Sequence, residues 1–270
     1  MTEILIPVLT MAALGLLFAL GLVLAYRKLQ VPEDPRLAVV AEVLPQANCG
    51  GCGFAGCRAL AEAMVAGRAL PESCPVGGEE TARRVAEILG LSAGQMVKRI
   101  ARVHCRGTWT AARPRGVYRG IMSCRSSHLM GGNKLCTYSC LGLADCVRSC
   151  PFDAMAMDEN GLPIVYEDRC TACGKCVEAC PRNIMELHPA ADEVLVFCRS
   201  HDRGPAARKV CDNACIACNI CVRDFPEAIV MDDFLAKVVD ESRIPRDQLG
   251  RLDRCPTGAI GRIQRMNRDR

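Results

Sequence analysis

Aromatic residues are scarce in this chain: one Trp, four Tyr and six Phe make up 4% of its 270 residues. An ordinary aromatic and aliphatic core cannot hold all of such a chain together, so bound cofactors must supply part of the folding free energy. The stretch between Glu87 and Asp145 contains no acidic residue. Nothing reads as a nucleotide cradle, because the glycine-rich loops are filled by cysteine. No nucleophile stands beside a base and no carboxylate pair is placed for acid-base work, so no catalytic residue is assigned. His104, His128, His188 and His201 have no ligand spacing with one another and read as surface or structural residues. Trp109, alone, makes no stacking platform, and no nucleic-acid motif accompanies the basic residues.

What the chain has in excess is cysteine, twenty residues in all. Disulfide-rich secreted chains are short, carry a cleavable leader and do not place proline after cysteine at intervals, so this pattern points to metal ligation in a reducing compartment. The central motif is CTACGKCVEACP, in which Cys170, Cys173, Cys176 and Cys180 are spaced by two, two and three residues and followed by Pro181. That run holds a cubane iron-sulfur cluster with its first three thiolates and sends the fourth to a second cluster. A zinc knuckle separates its two CxxC pairs by a dozen or more residues, so zinc does not fit here. A zinc-stabilised scaffold would also be colourless, whereas a cluster protein is brown and bleaches with dithionite. The formal charge of +4 omits the clusters, which make the assembled protein more acidic.

From Ile4 to Tyr26 the chain contains no charged residue. As a helix this run would be about 34 Å long, enough to cross the hydrocarbon core. It has no basic region before it and no convincing cleavage motif after it, so it reads as a retained anchor. Arg27 and Lys28 follow immediately, which predicts an N-terminus outside and the remaining mass on the cytoplasmic side of the inner (plasma) membrane. Pro7 falls in the first turns, and Gly15 and Gly21 could admit a partner helix.

Residues 31–36 read as a polar linker, and a helix is expected to end at Pro45. Cys49, Cys52 and Cys57 then sit in a glycine-rich loop, a helix runs from Arg58 to about Ala66, and Cys74 closes the set. By spacing alone this group leaves zinc open. The anchor, the loop LPQANCGGCGFAGC with its fourth cysteine in CPVGG, and the tandem cysteine repeats together resemble the B component of the Rnf complex, the ion-translocating ferredoxin:NAD oxidoreductase of bacterial membranes. On that resemblance Cys49, Cys52, Cys57 and Cys74 bind a [4Fe-4S] cluster. It further implies a chain that takes electrons from reduced ferredoxin and passes them towards a flavin-containing, NAD-reducing subunit. Ion translocation would fall to other membrane subunits. A related redox module that reduces an iron-sulfur regulator or feeds nitrogenase is the alternative.

The second half is an internal repeat. CVRSCPFDAMAMDE at Cys146 matches CVRDFPEAIVMDD at Cys221, and CPRNIMEL at Cys180 matches CPTGAIGR at Cys255. The expected fold class is α+β, with a single N-terminal transmembrane helix, a small helical iron-sulfur domain and two ferredoxin-like [4Fe-4S] domains. The expected boundaries are 1–30 for the anchor, 31–95 for the four-cysteine domain, 96–130 for a basic connector, 131–192 for the first ferredoxin-like domain and 193–270 for the second.

In the first ferredoxin-like domain, Cys150 is expected to join Cys170, Cys173 and Cys176. The reciprocal set has Leu143 at its middle position, so Cys136 is read as the substitute beside Cys140, Cys146 and Cys180. In the second domain Cys215, Cys218, Cys221 and Cys255 form one set, while the other falls on Phe225, Pro245, Gln248 and Arg251, none of them a ligand. This departs from the fuller family pattern. Cys105, Cys124, Cys198 and Cys211 remain, as a fifth set or as free cysteines, and Cys211 repeats the position of Cys136. The basic residues Lys98, Arg99, Arg102, Arg106, Arg113, Arg115, Arg119, Arg125 and Lys134 read as a solvated face or counter-charge, or as a docking surface for an acidic ferredoxin or the anionic lipid bilayer.

Overall fold

The computed structural model describes residues 2–29, 34–92 and 94–267. Helix α1 spans Thr2–Leu29 with Arg27 and Lys28 in its last turn. Its stretch Val8–Leu29 has a mean hydropathy of 2.5 and none of it is buried against the protein, so by length and composition it can cross a membrane. Of the expected linker, residues 31–33 lie outside the described residues.

A small helical unit follows. Helix α2 (Pro35–Val43) starts where the Asp34 carboxylate accepts the Arg36 N–H at 2.9 Å, satisfying one of the orphan donors of the first turn. Pro45 forbids its continuation. Leu37, Val40 and Leu44 pack on Leu60 and Met64 of α3 (Cys57–Val65) and on Val85 of α4 (Gly78–Leu89). Helix α4 stops at Gly90, whose φ of 68° suits glycine.

The rest of the chain repeats one topology. The first copy comprises β1 (Arg99–Val103), α5 (Cys124–Leu129), α6 (Asp145–Arg148), β2 (Met155–Met157), β3 (Pro163–Val165), α7 (Lys175–Ala179) and β4 (Met185–Pro189). Its middle strands form a hairpin with Met155 opposite Val165, and its outer strands pair antiparallel with Ile100 opposite His188. The second copy comprises β5 (Val194–Val196), α8 (Gly204–Val210), α9 (Ile220–Asp224), β6 (Ile229–Asp232), β7 (Leu235–Val238) and β8 (Ile260–Arg262). Again the middle strands pair, Ile229 opposite Val238, and the outer strands pair, Val196 opposite Ile260. The copies are tied together at the end of the chain, where Glu167 N–H donates to the Met266 carbonyl at 3.0 Å.

The copies differ where α7 would recur. A 3-10 segment, Arg246–Arg254, replaces it, and its Leu249 and Leu252 are buried with Phe225. Of the four positions without a ligand, Phe225 thus contributes its ring to the core. The stretch read as a basic connector begins in β1, a strand of the first copy. Arg102 is only 5% exposed there, with Nη1 2.5 Å from Glu167 Oε1. An ion pair this deep costs little only while both partners are present.

Candidate iron-sulfur centres

In the helical unit, Cys57 and Cys74 are buried and Cys52 packs against the same core. Asn48, at a left-handed φ of 45°, accepts the Cys57 N–H on its Oδ1 at 2.9 Å and so folds the glycine-rich loop back on itself. Gly77 N–H donates to Cys74 Sγ at 3.4 Å. Burial raises the Cys74 thiol, with Cys57 and Cys52 adding to the effect. The letters from Gly51 to Gly56 also satisfy GxGxxG. The loop follows a helix, however, and not the strand of a dinucleotide-binding unit.

This loop touches the first ferredoxin-like copy. A Cβ at Gly51 would lie 2.5 Å from the Cys173 carbonyl oxygen, so only glycine permits the approach. Cys49 lies near enough to Cys173 to raise its thiol, after burial and together with Cys150 and Cys170.

Three loops share one winding. Gly142 and Ala144, Ala172 and Gly174, and Ala217 and Asn219 all have left-handed φ, two and four residues after Cys140, Cys170 and Cys215 respectively. Such alternation turns successive amides towards a common centre, a nest for an anionic group. Within the loop of Cys170, burial pushes the Cys176 thiol up to about 12, helped by Cys170, Cys146, Cys173 and Cys150. Cys150 and Cys146 both pack in one buried cluster with Cys170 and Cys176. Cys215, Cys218, Cys221 and Cys255 line one cavity of about 350 Å³.

The remaining eight cysteines are arranged with one exchange relative to the grouping expected from spacing. Cys140, Cys146 and Cys180 share a cavity of about 360 Å³ with Cys124, and Cys136 is absent from its wall. Cys136 instead lines a cavity of about 280 Å³ with Cys105, Cys198 and Cys211. The reason lies in tertiary folding: α5 delivers Cys124 over the loop of Cys140, where its thiol accepts the amides of Leu143 and Asp145.

Lys134 is 2% exposed. Its Nζ donates to the Gly107 carbonyl at 2.6 Å and stands 4.4 Å from the Trp109 ring centroid. Among the described residues no carboxylate pairs with it, and the charges that raise its pKa against burial are Cys105, Cys140, Cys211 and Cys136. A buried cation with cysteine sulfurs and no carboxylate around it fits a site for a sulfur-ligated, negatively charged group.

The histidines are positioned structurally. His104 Nδ1 lies 2.8 Å from the Val196 carbonyl and its Nε2 lies 2.9 Å from His188 Nε2, which joins β1, β4 and β5. Burial holds the His104 pKa down at about 3, so the ring is neutral. Glu186 completes a trio within 4.8 Å, with the Arg199 guanidinium already bonded to it.

Comparison with known proteins agrees with this chemistry. A family model described as an Fe-S cluster matches residues 44–76, and one described as a 4Fe-4S dicluster domain matches residues 135–185. The chain is 46% identical over 262 residues to the B component of the Na(+)-translocating ferredoxin:NAD(+) oxidoreductase complex of Acetobacterium woodii, covering 96% of this chain and 78% of that protein. It is 42% identical over 269 residues to the B component of the proton-translocating ferredoxin:NAD(+) oxidoreductase complex of Clostridium ljungdahlii, covering 97% and 94%. With the B component of the ion-translocating oxidoreductase complex of Methanosarcina acetivorans it shares 39% identity over 231 residues, covering 84% and 88%. The grouped cysteines, the apolar N-terminal helix and these likenesses together place the chain in the family of Rnf B components, as an iron-sulfur electron-transfer subunit of an ion-translocating ferredoxin:NAD oxidoreductase complex.

Proposed function

We propose that this chain accepts electrons singly from reduced ferredoxin on the cytoplasmic side and relays them to the NAD-reducing part of the complex, tethered by α1 with its N-terminus outside. The clusters, when bound, supply one-electron redox capacity, and two transfers with one proton account for each NAD+ reduced to NADH. The residues that would hold them are Cys49, Cys52, Cys57 and Cys74 in the helical unit, Cys150, Cys170, Cys173 and Cys176 in the first copy, and Cys215, Cys218, Cys221 and Cys255 in the second, with Cys140, Cys146 and Cys180 contributing to a fourth set. The surrounding protein excludes water, fixes the sulfurs and aims amides at them, which sets the potentials. Arg27 and Lys28 after the span support the orientation. The span carries no intramembrane charge from Ile4 to Tyr26, so ion passage falls to other subunits. The relatives' names fit this, since one is sodium-translocating and the other proton-translocating while both resemble this chain over nearly its whole length.

The observation that carries the ferredoxin reading is a surface both basic and apolar. Arg115, Arg119 and Arg125 are exposed beside exposed Val117, Ile121, Met122, Leu129 and Met130, and among the described residues none of the three arginines pairs with a carboxylate. An acidic redox partner would be steered by the charges and held by the apolar side chains. The triple variant Arg115→Gln, Arg119→Gln, Arg125→Gln should lower the rate of reduction by ferredoxin at low salt by about tenfold and flatten its ionic-strength dependence. An unchanged salt dependence would remove ferredoxin from this face.

A further inference from the structure

We propose that Cys105, Cys136, Cys198 and Cys211 hold a fifth [4Fe-4S] cluster at the junction of the two repeated copies, and that Cys124 completes the set of Cys140, Cys146 and Cys180. The inference deepens the electron-transfer reading and rests on it.

Donor content supports the grouping. Three cavities of about 350, 360 and 280 Å³ are each walled by four cysteines, and no cysteine is shared between two of them. One holds the Cys215 set, whose spacing already marks it for a cubane. The other two present the same donor set in a similar space.

The repeat supports it independently. Cys105 follows β1 by two residues, and Cys198 follows β5 by two. Cys136 precedes Cys140 by four residues, and Cys211 precedes Cys215 by four. The junction site is therefore built from two pairs of equivalent cysteines, one pair from each copy. The hydrogen bonds repeat as well: Gly107 and Cys140 N–H donate to Cys105 Sγ at 3.3 and 3.4 Å, while Ser200 and Cys215 N–H donate to Cys198 Sγ at 3.4 and 3.3 Å.

The chemistry of the sulfurs points the same way. Two of the four junction sulfurs, Cys105 and Cys198, thus each receive two backbone donors. A neutral thiol is a weak acceptor, and paired donors on one sulfur suit a thiolate in a cluster. The Lys134 ammonium, 2% exposed with its Nζ on the Gly107 carbonyl at 2.6 Å, would find its counter-charge in a cluster held by these sulfurs.

The exchange of Cys124 for Cys136 follows from one residue. Leu143 stands where Cys218 stands in the second copy, so the first copy lacks the middle sulfur of its loop. Cys124 replaces it from α5 and takes the Leu143 amide. The five sets then form a chain of neighbours. Cys49 adjoins Cys173, Cys176 adjoins Cys146, the Cys140 amide reaches Cys105, and the Cys215 amide reaches Cys198. The junction site closes the gap between the copies, receiving one electron from one neighbour and giving it to the next.

Paired substitutions test the grouping in the full-length protein, purified and reconstituted without oxygen. The wild type should contain about twenty irons per chain, and Cys136→Ala/Cys198→Ala should contain about sixteen, because both changes fall in one site. Cys136→Ala/Cys146→Ala should fall to about twelve, with two spin systems missing from the electron paramagnetic resonance spectrum of the reduced protein. The opposite ranking of the two pairs would overturn the exchange. A wild type with about sixteen irons would overturn the fifth site and leave the electron-transfer reading standing, whereas a colourless, iron-free wild type would overturn that reading itself. Cys→Ser versions of the same pairs, which keep side-chain volume, serve if the alanine variants do not fold, and the same ranking is required of them.

Discussion

The backbone amide of Cys215 donates to Cys198 Sγ at 3.3 Å, so a residue of one cysteine set touches a sulfur of the next. The same contact recurs in the first copy between Cys140 and Cys105. These links are short and buried, which makes them the paths an electron would follow in the proposed relay and sensitive points for substitution.

Cys150→Ala should abolish the signal of the Cys170, Cys173 and Cys176 site while leaving the Cys140 site reducible. Cys150 influences both Cys173 and Cys176, which is the basis for the assignment. Redox-titrated electron paramagnetic resonance reads the outcome. Loss of the Cys140 signal in its place would show the pairing to be wrong.

Lys134→Met should make the junction site harder to reduce. The ammonium is buried beside Cys105, Cys136, Cys140 and Cys211, and reduction adds one negative charge to whatever those thiolates hold. With an effective dielectric near 20, one charge at about 5–8 Å is worth about 2–3 kcal/mol, a fall on the order of 100 mV for a one-electron couple. A redox titration showing no negative shift in any site would refute the role of Lys134 as counter-charge.

Gly51→Val should separate the helical unit from the loop of Cys173. The added side chain meets backbone that cannot yield, at a cost of about 1–3 kcal/mol. Magnetic coupling between the two neighbouring reduced sites should weaken, and limited proteolysis between residues 90 and 98 should accelerate. Unchanged spectra and unchanged proteolysis would mean that the contact is incidental.

Much of the fold is legible in the order of residues. The uncharged run from Ile4 to Tyr26 is long and apolar enough to cross a membrane, and the spacing of Cys170, Cys173, Cys176 and Cys180 fits a loop wound around a cluster. The repeat around Cys146 and Cys221 implies two copies, because each copy must bury the same apolar strands over the same turns. The strand β1 is hidden by its arginines, since a buried Arg102 makes sense only once Glu167, 65 residues away, is brought to it.

What tertiary structure alone decided is the partnership of cysteines distant in sequence. Local spacing constrains ligands only within the few residues of one loop, where backbone geometry fixes the reach of each sulfur. Cys124 lies 16 residues before Cys140, and its path depends on packing; local spacing favours Cys136, although its equivalence to Cys211 is already visible in the repeat. The ends of β1 and β5 place Cys105 and Cys198 at one junction, and α5 carries Cys124 to the amide of Leu143. The kinds of donor were thus present in the sequence, while the proximity of these cysteines came from the way two repeats fold against each other.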